Sequence, residues 1–465
     1  MYIGIDDTDS VKGMCTTYIA TEIIAELQNF IDIIGYPRLV RLNPNIPWKT
    51  RGNGAICIRV GKGAGKKSQI AEIGGRAIYC YEREFYNNGI GCGNDVKEKI
   101  FEKAQEIIER YSEFDDGNTN PGLVLMACKP SPKLYWRGVR GIVDMETIKE
   151  TLFIKGAIYK GYKNGRGIIG ATAAIAWRPK DRTYEIITYR ERSRWGSTRA
   201  VDEYSVICMD KNFPQTFNNY DYENKRVIIA PHSLCPVLLG IRSNTAELIE
   251  PMKTIKSEKI DRWVIFETNQ GSDDHLEKMK IAELAPYKSA IVSGMVASTP
   301  KTITGGHVFF KITGSGKLLA RTSSSRFHDG SYARSLSVEC AAYEPTKNFR
   351  TVIRSLVPGD EVTIYGSIKS YPFTLNIEKI KVTKLVEVRK KLVPICKCGS
   401  KMKSIGKDKG YRCKKCGTKT KDIQYTKVER MIKEGFYEVP VCARRHLSKP
   451  LKRISSSEGV FPSRN

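Results

Sequence analysis

The stretch YIGIDDTDS, residues 2–10, joins a short apolar run to three carboxylates, Asp6, Asp7 and Asp9, within four positions. The first four residues read as a buried strand. Like charges held that close repel and push one another's pKa up unless a cation lies between them. A strand ending in closely spaced aspartates is a common way to hold Mg2+ for phosphoryl transfer, because hard oxygens match the hard cation. Asp7 and Asp9 are the expected magnesium ligands. A surface Asx turn at a strand end is the plainer alternative.

Downstream, GMCTTYIATE places Thr16 and Thr17 where a helix begins, and Ile19, Ile23, Leu27 and Phe30 continue it as an apolar stripe. A threonine there serves as an N-cap, or it presents a hydroxyl beside a metal-bound phosphate and accepts a phosphoryl group. Next comes RLNPNIPWKTRGNGA, residues 41–55. Its Arg41, Lys49 and Arg51 alternate with Pro and with Asn43 and Asn53 on a turn-rich loop that can present cations to a triphosphate; a solvated loop is the plainer alternative. GKGAGKKS (61–68) reads as a loop but fails the P-loop spacing, because Lys67 intervenes before Ser68; GIGCG (89–93) lacks the dinucleotide fingerprint.

The remainder of the first 144 residues alternates strand and helix signals: a strand at GAICIRV, an amphipathic helix over 96–111, and a turn then a strand at TNPGLVLMA. This predicts an α/β unit. Residues 145–262 begin with a helix, METIKETLF, and continue with expected strands at GATAAIAW, TYEIITY and RVIIAP, a small α+β unit. Within it, His232 and Cys235 of PHSLCPVLLGIRS suit either a Cys–His nucleophile pair or a pocket-lining turn. Residues 287–386 hold short strands separated by Gly, Pro and Asp turns, among them GKLLARTS (316–323). About five strands in that length predict a small Greek-key barrel with the OB-fold as the leading candidate. Period-2 alternation points Val338, Cys340 and Ala342 one way, and Val362 and Ile364 likewise.

The net charge is +27, with 77 Lys+Arg against 50 Asp+Glu, which points to a phosphate polyanion as partner. No apolar run is long enough to cross a bilayer, and the N-terminus lacks a signal-peptide layout. The expected location is cytoplasmic, and no obligate protein partner is evident. Thirteen cysteines, an odd number without a secretory signal, argue against a disulfide scaffold. Four of them, Cys396, Cys398, Cys413 and Cys416, form two close pairs separated by fourteen residues, each followed by glycine. That pattern predicts a structural four-cysteine zinc site on a ribbon whose folding energy comes from the metal. Lysines and Tyr411 between the pairs suit RNA or DNA. The barrel adds Phe309, Phe310, Lys311, Arg321, Arg326, Phe327, Arg350 and Arg354, the interleaving of aromatics and bases on which single strands stack.

These residues together carry a resemblance. GIDDTDS…GMCTTY, PRLVRLNPNIPWKTRGNGA, TNPGLVL, GATAAIAW, PHSLCPVLLGIRS, GGHVFFKI, AAYEPTKNFR and the terminal four-cysteine element, in that order, resemble the archaeal tRNA 2-agmatinylcytidine synthetase family. The resemblance implies a kinase-like domain (1–144), a ferredoxin-like domain (145–262), an OB-fold (287–386) and a zinc ribbon with a C-terminal tRNA-binding segment (393–450). It implies that ATP is cleaved to AMP and pyrophosphate, that the C2 oxygen of a wobble cytidine is phosphorylated, and that agmatine displaces the phosphate. The implied substrate is the isoleucine tRNA with anticodon CAU. The family's acidic motif falls on Asp6, Asp7 and Asp9, and its autophosphorylated threonine on Thr16, with Thr17 as its neighbour. Agmatine's two basic ends call for carboxylates and aromatic faces, and Asp202, Glu203 and Tyr204 are candidates. Residues 61–95 follow the family least clearly.

Two other classes remain open. A single-strand-binding protein built on the barrel and ribbon would have no use for the acids. A phosphatase is suggested by Asp7, Asp9 and Val11, which fit a D-x-D-x-[TV] pattern; it would act without tRNA.

Overall fold

Strand β1 (Tyr2–Asp6) buries Ile3 and Ile5 and runs antiparallel between two neighbours, as its apolar composition requires. The computed structural model of the chain describes residues 1–85, 93–314, 337–406, 409–422 and 425–454. Helix α1 (Thr16–Leu27) follows, with Ile19, Ile23, Ile24 and Leu27 fully buried. Each such side chain contributes roughly 1.5–3 kcal/mol by leaving water. Its N-cap is Cys15, which makes no side-chain capping bond; Thr16 and Thr17 are the first two helical residues, so the N-cap role expected for a threonine is not filled by one.

Strand β2 (Arg38–Arg41) leads through the basic loop into β3 (Gly54–Gly61), and β1 lies between β3 and β4 (Gly122–Met126). Across β1 and β4 packs α2 (Gly167–Ala176). The sequence predicts a strand at GATAAIAW; the structure makes it part of this helix. Nine of its ten residues are buried, so it shows neither a period of 2 nor a polar face, and periodicity is uninformative for an apolar run buried on all sides. Its alanines decide the outcome, since Ala is the best helix former. Glycine also lets helix and strand touch: a Cβ on Gly122 would lie 2.1 Å from the Gly167 carbonyl carbon.

The chain continues through β5 (Thr183–Arg190), β6 (Val237–Ser243) and β7 (Ile260–Thr268). β7 pairs antiparallel with β5 and parallel with β2, so one twelve-stranded sheet runs through residues 2–268. GKGAGKKS, expected as a loop, lies largely in the strand Gly63–Ile73, paired with Arg76–Glu84. Sheet hydrogen bonds override the poor strand propensity of its glycines. RVIIAP, expected as a strand, pairs only at Arg226–Val227; its remainder lines a cleft.

Five strands close the expected barrel: β8 (Ser289–Val296), β9 (Val308–Thr313), β10 (Ser337–Ala342), β11 (Glu361–Lys369) and β12 (Thr374–Lys384). The ring runs β8-β9-β10-β12-β11 and back to β8, with β10 and β12 parallel. Val338, Cys340, Ala342, Val362 and Ile364 all face its core, as the alternation predicts. Phe310 points inward, whereas Phe309 is half-buried with its ring centroid 6.0 Å from that of Tyr343. The segment GKLLARTS with Arg321, Arg326 and Phe327, most of GIGCG, and the terminal SSSEGVFPSRN lie outside the described residues.

Beyond the ribbon the chain returns to the barrel, where Gly435–Glu438 adds to β12. It then straps across the large sheet. Arg444 pairs with Asn218, the Cys442 N–H donates to Asp221 (3.0 Å), and Lys449 and Arg453 both bind Asp181 (2.9 and 2.8 Å). No helix among the described residues is long and apolar enough to cross a membrane.

Candidate active site

The acidic corner forms where β1 stops. Asp7 has φ = 57°, in the left-handed region where Asp is among the tolerated residues. Asp6 is half-buried against α2 at Gly170, where a Cβ would fall 1.8 Å from Asp6 Oδ2. Burial, and then the charges of Asp7 and Asp9, push the Asp6 carboxyl well above the usual range. Asp7 is raised to about 6 by burial and Asp9, partly offset by the Asn120 N–H (3.2 Å) and by Arg166. Asp9 is compensated: it accepts from Thr50 Oγ1 (2.8 Å) and Arg51 Nε (2.9 Å), and Arg51 Nη2 bridges it to the Met14 carbonyl. Asp6 and Asp7, half-buried and with little protein compensation for their mutual repulsion, are donors that suit a hard divalent cation beside Asp9.

Two clefts meet at this corner. The smaller is lined by Asp6, Asp7, Asp9, Lys49, Asn53 and Arg166, with the Arg166 guanidinium 4.0 Å from the Trp48 ring centre. The larger, an open cleft of about 380 Å³, lies between the first half of the sheet, β5, β6 and the C-terminal strap. Thr16, Thr17, Arg41 and Arg51 line it, and Asp9, Gly52 and Gly54 border both clefts. The Thr16 hydroxyl accepts from Thr8 Oγ1 (3.1 Å), and Thr17 Oγ1 contacts Cys15 Sγ (3.0 Å). Arg41 is clamped through its backbone by Asn269 (2.7 and 2.8 Å), its Nε has no partner, and burial lowers its pKa. Asn43 lines neither cleft. Its amide donates to the carbonyls of Gly141 (2.9 Å) and Tyr287 (3.0 Å), tying the loop to the barrel.

The other candidates separate. His232 and Cys235 both line the larger cleft, but His232 Nε2 meets Arg226 (2.6 Å) while Cys235 Sγ accepts from Ser233 Oγ (3.2 Å). Asp202, Glu203 and Tyr204 line neither cleft. Asp202 caps a helix by accepting from the Ser205 N–H (2.7 Å), Glu203 takes the Tyr220 hydroxyl, and Tyr204 is 74% exposed. Instead the larger cleft holds Glu185, Arg242 and His446. A glutamate inside the apolar run TYEIITY is a signal for the first; nothing in CARRHLSKP singles out the last.

In the ribbon, the four sulfurs of Cys396, Cys398, Cys413 and Cys416 lie within 4.8 Å of one another. Cys396 to Cys416 is 3.3 Å and Cys398 to Cys413 is 3.5 Å. A tetrahedral zinc with Zn–S of ~2.3 Å needs sulfur separations near ~3.7 Å, so the set fits a closed structural site.

Comparison with known proteins adds three domain matches: the TiaS TCKD domain over residues 2–164, the TiaS FLD domain over 165–275 and the TiaS C-terminal zinc ribbon domain over 393–432. The isoleucine-tRNA 2-agmatinylcytidine synthetase TiaS of Methanocaldococcus jannaschii is 41% identical, covering 98% of this chain and 99% of the relative. That of Archaeoglobus fulgidus is 40% identical, with 98% of each covered. Among solved structures, a complex of TiaS with its isoleucine tRNA and ATP is similar with a TM-score of 0.80 at 37% identity, covering 98% of this chain and 97% of that one. A complex of TiaS with the same tRNA, AMPCPP and agmatine has a TM-score of 0.76 at 35% identity, covering 97% of each.

Proposed function

The chain belongs to the TiaS family of isoleucine-tRNA 2-agmatinylcytidine synthetases, and from that premise we propose that it joins agmatine to C2 of the wobble cytidine of the CAU-anticodon isoleucine tRNA in an ATP-dependent reaction. A C2 carbonyl is a poor electrophile toward an amine. ATP is cleaved to AMP and pyrophosphate, one phosphoryl group of that pyrophosphate passes to the C2 oxygen and leaves orthophosphate behind, and agmatine's amine then displaces the phosphate from C2. Residues 1–144 act as the kinase-like part and 145–262 as the ferredoxin-like part. The closed barrel within 287–386 acts as an OB-fold, and 393–450 as the ribbon and terminal tRNA-binding segment.

The observation that carries this reading is the junction of the two clefts. Asp9 borders both, so the acidic corner opens onto the cleft that holds Thr16, Thr17, Arg41 and Arg51. Arg41 at the end of β2 and Asn43, Lys49, Arg51 and Asn53 on the loop after it receive the triphosphate, with Asn43 shaping the loop through its side-chain amide. Thr16, with Thr17 beside it, is the hydroxyl that takes a phosphoryl group. Asp7 and Asp9, beside Asp6, would hold Mg2+, which would supply positive charge against that developing on the phosphates. The wobble base must leave its stack to reach the cleft, at a cost of a few kcal/mol, and contacts of the barrel and ribbon with tRNA offset it.

The test is to incubate the protein with ATP, Mg2+, agmatine and the CAU-anticodon tRNA and to weigh the digested wobble nucleoside. The expected product is 2-agmatinylcytidine. An unchanged cytidine, under conditions where tRNA binds, contradicts the reading.

A further inference from the structure

The C-terminal strap delivers a side chain into the larger cleft from more than 400 positions away from Asp9 in sequence. The main chain at His446 is pinned on both sides: its carbonyl accepts from the Gly271 N–H (2.8 Å), and the next carbonyl, of Leu447, accepts from the Asp273 N–H (2.8 Å). The ring is exposed to the cleft.

Three residues orient it. Glu185, buried on β5, accepts from Arg242 Nε (2.9 Å) and from the Gln270 amide nitrogen. With its nitrogen anchored there, Gln270 turns Oε1 to His446 Nδ1 at 2.9 Å, nearer than Arg242 Nη2, which reaches the same nitrogen at 3.2 Å. Nδ1 thus lies between an acceptor and a donor; in the tautomer that donates Nδ1–H to Gln270, the Nε2 lone pair is free. That nitrogen faces the strip between the clefts, 3.7 Å from where a Cβ would sit on Gly52, the glycine that borders both.

We propose that His446 is the proton acceptor of the amine-transfer step, taking a proton at Nε2 from the agmatine nitrogen as it bonds to C2. The inference rests on the synthetase reading above. In the step, the free primary amine forms the N–C2 bond. The bond from C2 to the phosphorylated oxygen breaks, and its electron pair leaves with the phosphate. One N–H proton of the resulting adduct passes to Nε2. The charged groups facing the ring are Arg41 on β2, Lys49 on the loop after it, Arg242 on β6 and Glu185 on β5. The three cations dominate: Arg41 first, with Arg242 and Lys49, holds the imidazole well below its ordinary pKa. It is therefore neutral near pH 7 with its lone pair available. A weak base suffices, because an amine nitrogen bonded to an electron-poor carbon is far more acidic than a free alkylammonium.

The experiment uses the full chain with ATP, Mg2+, tRNA and agmatine at saturation, in single turnover. His446→Asn keeps a donor to Gln270 in place of Nδ1–H and removes Nε2. It is expected to slow formation of agmatinylcytidine by ~10²–10⁴-fold, while tRNA affinity and phosphate transfer from ATP to the cytidine, assayed without agmatine, stay within threefold of wild type. In His446→Ala, added imidazole is expected to restore the rate in proportion to its unprotonated fraction. Product formation within a few-fold of wild type in His446→Asn, or equal loss in the phosphate-transfer and amine-transfer steps, overturns the assignment. So does a loss that imidazole fails to rescue in a variant with wild-type Tm. A wild-type protein that makes no agmatinylcytidine would instead overturn the synthetase reading itself.

Discussion

Arg51 holds Asp9 at the strip between the two clefts: its Nε donates to Asp9 Oδ2 at 2.9 Å, and Nη2 reaches both that oxygen and the Met14 carbonyl just ahead of α1. One guanidinium thus sets the position of an acid and of the helix start that carries Thr16 and Thr17. Lysine cannot reproduce that fork. Arg51→Lys is expected to lower the single-turnover modification rate ~10–100-fold with little change in Tm, on the scale expected of misplaced catalytic groups. A rate near wild type would separate this ion pair from the chemistry.

Gly170 leaves room for Asp6. In an ordinary helix interior Gly→Ala stabilises by about 0.5–1 kcal/mol. Here the added methyl would overlap the Asp6 carboxylate, 1.8 Å away. Gly170→Ala should therefore cut ATP-dependent modification at least tenfold, and it should not raise Tm. An active and stabilised variant would show that Asp6 has freedom to move away.

The ribbon's hydrophobic core is small: Cys396, Met402 and Cys413, with Tyr411 packed against them. Metal binding must supply its folding energy. Cys413→Ser is expected to lose about one zinc per chain by elemental analysis and to weaken tRNA binding at least tenfold, leaving ATP binding unchanged. Unaltered tRNA affinity in a zinc-free protein would remove the ribbon from recognition.

A buried pair joins the large sheet to the barrel. His275, just past β7, meets Glu378 on β12 at 3.1 Å, and both side chains are almost fully enclosed. Burial alone would raise the Glu378 carboxyl, but His275, Arg445 and Lys379 outweigh it and hold it at about 2. The ordinary glutamate value is about 4.3. A carboxylate depressed in the folded state stabilises it above the unfolded pKa and loses that contribution as pH falls through the folded one. Stability should accordingly decline between about pH 4.3 and 2, and Glu378→Gln should flatten that decline in acid-unfolding curves followed by fluorescence. Superimposable pH profiles for the two proteins would place the acid sensitivity elsewhere.

Several features are legible before folding because they are local. The acids at the end of β1 and the stripe of α1 need only period and spacing. The alternation at Val338, Cys340 and Ala342 and the paired cysteines need no more. The misread segments fail for different reasons. GATAAIAW is buried on every side and so carries no face to read, and GKGAGKKS becomes a strand only because Arg76–Glu84 supplies hydrogen bonds its own glycines do not favour.

The amino-acid order by itself determined the charge that suits a polyanion, the zinc ligands, the barrel's strand alternation and the cluster of aspartates, since each depends on residues close together along the chain or on composition alone. Tertiary structure alone decided that Arg51 would clasp Asp9, that Glu185 and Gln270 would aim His446, and that the strap at Val441, Cys442, Arg444 and His446 would wall the cleft that Thr16 and Thr17 line. Those relations join positions tens to hundreds of residues apart, and such contacts are set by how sheet, barrel and strap pack against one another.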